Sequence, residues 1–165
     1  MRMVETKDLI DENVWVRLVK IVKAAHDLNR EEFAKLSRAF SREVNIPGQQ
    51  KAGLYLWYLL RHALAKVAGG LPNASDLSRI SGDYVANFSA VVEADRSILE
   101  DTFRKVFELS PLVKEIGPGD LLVLGSAALG VLSEDSDEEL ARMKPNLNRW
   151  WASNSESFHS QGLRR

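Results

Sequence analysis

The run LYLWYLLRHALAKVA, Leu54 to Ala68, is the longest nearly unbroken apolar stretch in the chain, and any fold must be arranged around it. At about 100° per residue, a helix here gathers Trp57, Leu60, Ala63, Leu64 and Val67 on one broad face. Only Tyr55, His62 and Lys66 are left on the other. A helix with so narrow a polar stripe is enclosed by protein on most sides. The spacing predicts a central helix from about Gln49 to Gly69-Gly70, where a left-handed cap followed by Pro72 ends it.

The flanking segments supply partners for that helix. Asp11 to Leu28 carries Val14, Leu18, Ile21, Val22, Ala25 and Leu28 at helical spacing, and Asn29 with Glu32 has the spacing of a capping box for a second helix. Pro47-Gly48 closes that second run, so the first two helices read as an antiparallel hairpin. Ser75 is placed to cap a helix over 76–93 with a bend at Gly82, and Ser97 with Glu100 to open the next. A short turn is expected at LVKEI after Ser110-Pro111, and Asp120 as the cap of LLVLGSAALGVL. That apolar segment spans about 18 Å as a helix, too short to cross a bilayer, and its Gly125, Ser126, Ala128 and Gly130 suit close backbone packing. Ser136 and Glu139 form a further capping box for a short helix ending before Pro145, beyond which the sequence turns polar. The fold class is therefore all-α: a single-domain, mostly antiparallel bundle of about six helices over residues 1–144, with an aromatic-containing tail over 145–165.

Function is far less legible. The formal charge of −1 recommends neither nucleic acid nor a membrane as partner, and the N-terminal MRMVETKDLIDE has acids where a signal peptide has its apolar run. The absence of cysteine excludes disulfides and thiolate chemistry, and points to an intracellular, cytoplasmic protein. Histidines stand far apart at positions 26, 62 and 159, with no helical His-His or Glu-His pair to hold a metal. There is no phosphate-loop pattern, and the acidic pairs Glu31-Glu32 and Glu138-Glu139 fall in first turns, where the helix dipole favours them. No catalytic residue, metal site or cofactor is assigned.

Three constellations remain. Arg61 projects toward the apolar side of the central helix, which requires a carboxylate partner or a stack on Trp57. With Tyr58 and His62 it forms the candidate polar set of a ligand-binding or enzymatic cavity. Arg17, Lys20 and Lys23 on the first helix and Lys35, Arg38 and Arg42 on the second are the candidate nucleic-acid surface; interspersed acids and the lack of interleaved aromatic residues weigh against it. Trp150 and Trp151 must fold back onto the bundle or anchor a partner chain. The balance of these features favours a non-enzymatic protein-binding or regulatory module, of adaptor or inhibitor type, that engages another protein or a second copy of itself.

Overall fold

The first five helices each start where a side chain takes up a free backbone N–H. In the computed structural model, which describes residues 9–111 and 117–160, Asp11 accepts from the Val14 N–H at 3.1 Å and opens α1, Glu12–His26. Asn29 does the same for Glu32 and opens α2, Arg30–Glu43. The central helix α3, Ile46–Ala68, begins earlier than the sequence suggested, because Asn45 accepts from the Gly48 N–H at 2.8 Å. Pro47 sits inside its first turn, where no N–H is needed, instead of ending the run before it. Gly69, at φ 77°, closes α3 in the left-handed conformation that glycine adopts without strain.

The next two caps also lie a step away from the expected residues. Asn73, not Ser75, opens α4, Ala74–Val91, through a reciprocal box with Asp76. Asp95, not Ser97, opens α5, Arg96–Glu108: it accepts from the Ile98 N–H at 3.1 Å and from the Ser97 hydroxyl at 2.7 Å. Carboxylate and amide oxygens cap about as well as a serine hydroxyl, and here they occupy the position. The helix α4 runs unbroken through Gly82. The glycine instead makes room for the Arg96 side chain, whose guanidinium carbon would lie 3.1 Å from an added Cβ and whose NH2 donates to the Ser78 carbonyl at 2.8 Å.

The apolar LLVLGSAALGVL segment belongs to α6, residues 118–132, built from Pro118–Asp120, a π-helical stretch Leu121–Gly125, and Ser126–Leu132 in succession. Asp120 thus lies in the first turn and is not the cap. Its second half is buried all round, and Gly130 meets α1 so closely that a Cβ there would stand 2.6 Å from both the Ala25 Cβ and the Val22 carbonyl oxygen. The turn expected at LVKEI lies outside the described residues.

The last helix departs most from expectation. α7, Ser136–Ser160, does not stop before Pro145 but continues through it for a further fifteen residues, to a total of 25. A proline inside a helix costs about 3 kcal/mol, because its ring clashes with the preceding turn and a hydrogen bond is lost. That cost is offset by a buried stripe of Leu140, Leu147, Trp151, Ser155 and Phe158 at helical spacing. Surface pairs hold its start, with Lys66 on Glu139 at 2.9 Å and Lys23 on Asp137 at 3.4 Å, while Lys144 meets Glu12 at 2.8 Å. Exposed pairs of this kind add little to stability but fix register.

The seven helices share one core, with no strand among the described residues, so the chain is an all-α bundle. Its centre is α3, from which Leu54, Leu56, Leu59, Leu60 and Leu64 are all buried. Tyr55, expected on the polar stripe, is instead fully buried; its hydroxyl oxygen accepts from the Asp11 N–H at 2.9 Å, and burial pushes its ionisation far up. The buried arc of α3 is rotated toward Tyr55, leaving Trp57 and Val67 only partly covered. No helix among the described residues is long and apolar enough to cross a membrane.

Candidate functional site

The aromatic residues of α3 and α7 assemble first, since they decide which side chains are left to face outward. Trp151 packs edge-on against Tyr55 with ring centroids 5.2 Å apart and is 2% exposed. Trp150 stacks on Trp57 at 5.9 Å and on Tyr58 at 4.9 Å, and Phe158 approaches both indoles. Aromatic pairs at these separations contribute roughly 0.5–1.5 kcal/mol each beyond area burial. The tryptophan pair therefore folds back, and both rings serve the bundle itself. Past Ser153 the tail, which the sequence shows as polar, still contributes buried Ser155 and Phe158.

Tyr58 and His62 face this cluster. Their rings meet edge-on at 4.2 Å, and the His62 pKa is lowered by burial and by the Arg61 charge. Arg61 points elsewhere. Its guanidinium carbon lies 4.7 Å from the centroids of both the Trp57 and the Phe107 rings, and NH1 donates to the carbonyls of Val106, at 2.8 Å, and Phe107, at 3.3 Å. Those carbonyls belong to the last turn of α5, where no intrahelical donor reaches them and a cation complements the dipole. Trp57 Nε1 adds a bond to the Leu109 carbonyl at 3.4 Å. The half-buried arginine is thus stacked and hydrogen-bonded to backbone, with no carboxylate partner among the described residues. Burial lowers its pKa, but a guanidinium stays charged at any ordinary pH.

Arg61→Met should accordingly cost about 1.5–3 kcal/mol, the range for hydrogen bonds to a charged group plus their stacking, and less than loss of a buried ion pair. Urea midpoints of the two proteins measure it. An unchanged midpoint would place the side chain outside the structure that holds α5 to α3.

One side of Arg61 opens on a cavity of about 550 Å³ between the α3–α4 turn and α5. Leu77 and Phe107 line it with Pro72, and Leu71, which is 82% exposed, stands at its edge. The surrounding charges largely satisfy one another: Arg104 bridges Asp101 and Glu108, and Lys105 meets Asp101 at 3.0 Å. The hydrogen bond from Lys105 holds the Asp101 carboxyl low, against desolvation and with help from Arg104. Among the described lining residues there is no histidine, and the Ser97 hydroxyl there is committed to Asp95. Of the three residues proposed for a ligand cavity, Arg61 lines this one; Tyr58 and His62 do not. Among the described residues, no group of His, Asp and Glu side chains is placed to hold a metal ion.

The basic hairpin is only partly free. Arg17 pairs with Glu43 at 2.7 Å and Lys23 with Asp27 and Asp137, whereas Lys20, Lys35, Arg38 and Arg42 are exposed. Sequence reasoning missed Leu71. The signal was an aliphatic residue set between Gly70 and Pro72, in a turn where nothing local could bury it.

The described residues form an all-α bundle of seven helices with an apolar-lined, charge-rimmed groove. No family model matches it, and neither a curated protein nor a solved structure is significantly similar.

Proposed function

We propose that the chain is a non-enzymatic helical module that binds another protein, with the groove at Leu71 as its docking surface. The observation that carries this reading is the 82% exposure of Leu71 at the edge of a cavity lined by Pro72, Leu77 and Phe107. A lone exposed leucine is ordinary on a protein surface, but one that borders an apolar concavity extends it into a single contact patch. On the rim Asp101, Arg104 and Glu108 pair among themselves, so an apolar anchor can enter without stranding those three ions. Such a module acts as an adaptor or inhibitor, and a cytoplasmic setting fits its cysteine-free composition.

Affinity enrichment from cells that encode the chain tests the reading with two single variants. Leu71→Asp puts a charge at the patch and should abolish recovery of the partner. Val16→Asp, on exposed α1 surface, should retain it. Equal recovery by both would move the interface off this groove.

A second reading is favoured by size alone: a volume of about 550 Å³ falls within the range of small-molecule sites. In that case Leu71→Asp would leave protein partners unchanged while altering the set of metabolites that co-purify.

A further inference from the structure

Among the charged side chains described around the Leu71 groove, Glu100 is the one left without a partner. Arg61 is held by the Val106 and Phe107 carbonyls, and Arg104 is divided between Asp101 and Glu108. Glu100 stands one helical turn before Arg104, at the spacing of an ion pair, yet neither that guanidinium nor any other described cation or donor meets its carboxylate. It is half-buried, and it lies beyond the first turn of α5, where the helix dipole no longer favours an acid.

A second depression, of about 280 Å³, shares Ser97 and Asp101 with the groove, so the two meet along α5. It adds Ile98, 39% exposed, as an apolar knob, and Asp120, whose carboxylate also meets no cation among the described residues. The dipole of α6 offsets the charge of Asp120, which lies in a first turn. Nothing comparable offsets Glu100.

Water satisfies this carboxylate while the groove is open. An apolar or acidic occupant that covers it removes that water and supplies no donor, which is costly for a charged group. An occupant that sets a cation against it forms a charge-assisted hydrogen bond instead. The groove therefore selects by exclusion as well as by attraction. On the reading that the Leu71 groove docks another protein, we infer that the partner presents an apolar side chain beside a lysine or arginine, the first seated against Leu77 and Phe107 and the second paired with Glu100.

Selection from a displayed library of random linear peptides on the full chain tests this, with Leu71→Ser run in parallel to remove the apolar knob without adding charge. Enriched peptides should join an apolar residue to a nearby lysine or arginine. For the tightest of them, Glu100→Gln should weaken calorimetric affinity about tenfold, the equivalent of about 1.4 kcal/mol. Replacing the peptide's basic residue by glutamine should then cost nothing further in that variant. Glu100→Gln preserves size and helix propensity, so its melting temperature should match that of the parent. Peptides that require Leu71 yet lack a basic residue, or that bind Glu100→Gln as tightly as the parent, would overturn the inference and leave the docking surface standing. Enrichment of no peptide, or only of peptides that bind the Leu71→Ser chain equally well, would count against the docking surface itself and overturn the inference with it.

Discussion

Trp151→Ala should lower stability by about 3–5 kcal/mol, the usual cost of removing a buried large aromatic side chain. The ring is 2% exposed and touches Tyr55 and Phe158 on opposite sides of the α3–α7 contact, so its loss leaves a cavity that neither can fill without repacking. For a chain of this size, each kcal/mol shifts the melting temperature by about 2–4 °C. A drop on the order of 10 °C by calorimetry is therefore expected. Truncation after Ser153 should also destabilise, by about 2 kcal/mol, because it removes Phe158, which is 6% exposed. A truncated protein that melts with the full chain would mean that the end of α7 contributes nothing to the core.

Gly130→Ala should be the most damaging single-methyl addition in the chain. The new Cβ would lie 2.6 Å from the Val22 carbonyl oxygen and 2.8 Å from the His26 backbone nitrogen, atoms that cannot move unless α1 moves with them. Overpacking typically costs about 1–3 kcal/mol and more when backbone must shift, against about 1 kcal/mol gained in helix propensity. A net loss of at least about 2 kcal/mol is expected from urea unfolding. Gly119→Ala provides the contrast, since its added Cβ meets nothing within 4 Å. Equal midpoints for the two variants would show that α1 and α6 do not approach as closely as their backbones indicate.

Much of the bundle was legible because its signals are local and periodic. The body of α3, its glycine stop and the hairpin of α1 and α2 follow from apolar spacing and from residues that cannot continue a helix, although α3 starts at Ile46, three residues before Gln49. The errors arose where a local rule competes with tertiary burial. Pro145 reads as a stop, yet Leu147, Trp151 and Phe158 continue the stripe begun at Leu140, and the area they bury outweighs the proline. Following that period across the proline would have recovered α7. Tyr55 was placed among polar residues by its hydroxyl, although one backbone N–H is enough to satisfy that group inside a core.

The functional surfaces were harder to read because they depend on which faces remain uncovered. Tyr58, Arg61 and His62 are near neighbours in sequence, but α5 takes Arg61 to one side while Trp150 of α7 stacks on Tyr58, against which the exposed His62 ring packs. Leu71 acquires meaning only when α4 and α5 place Leu77 and Phe107 in the cavity it borders.

The proposed function requires that the Leu71 groove receive another protein. Its most direct measurement is a photo-crosslinking amino acid placed at position 71, and separately at position 16, in the full chain in living cells. Position 71 should yield one discrete protein adduct that an added Phe107→Asp substitution in the groove removes, while position 16 yields none. Identical labelling from both positions, or no protein adduct at 71 in a folded chain, would contradict the claim.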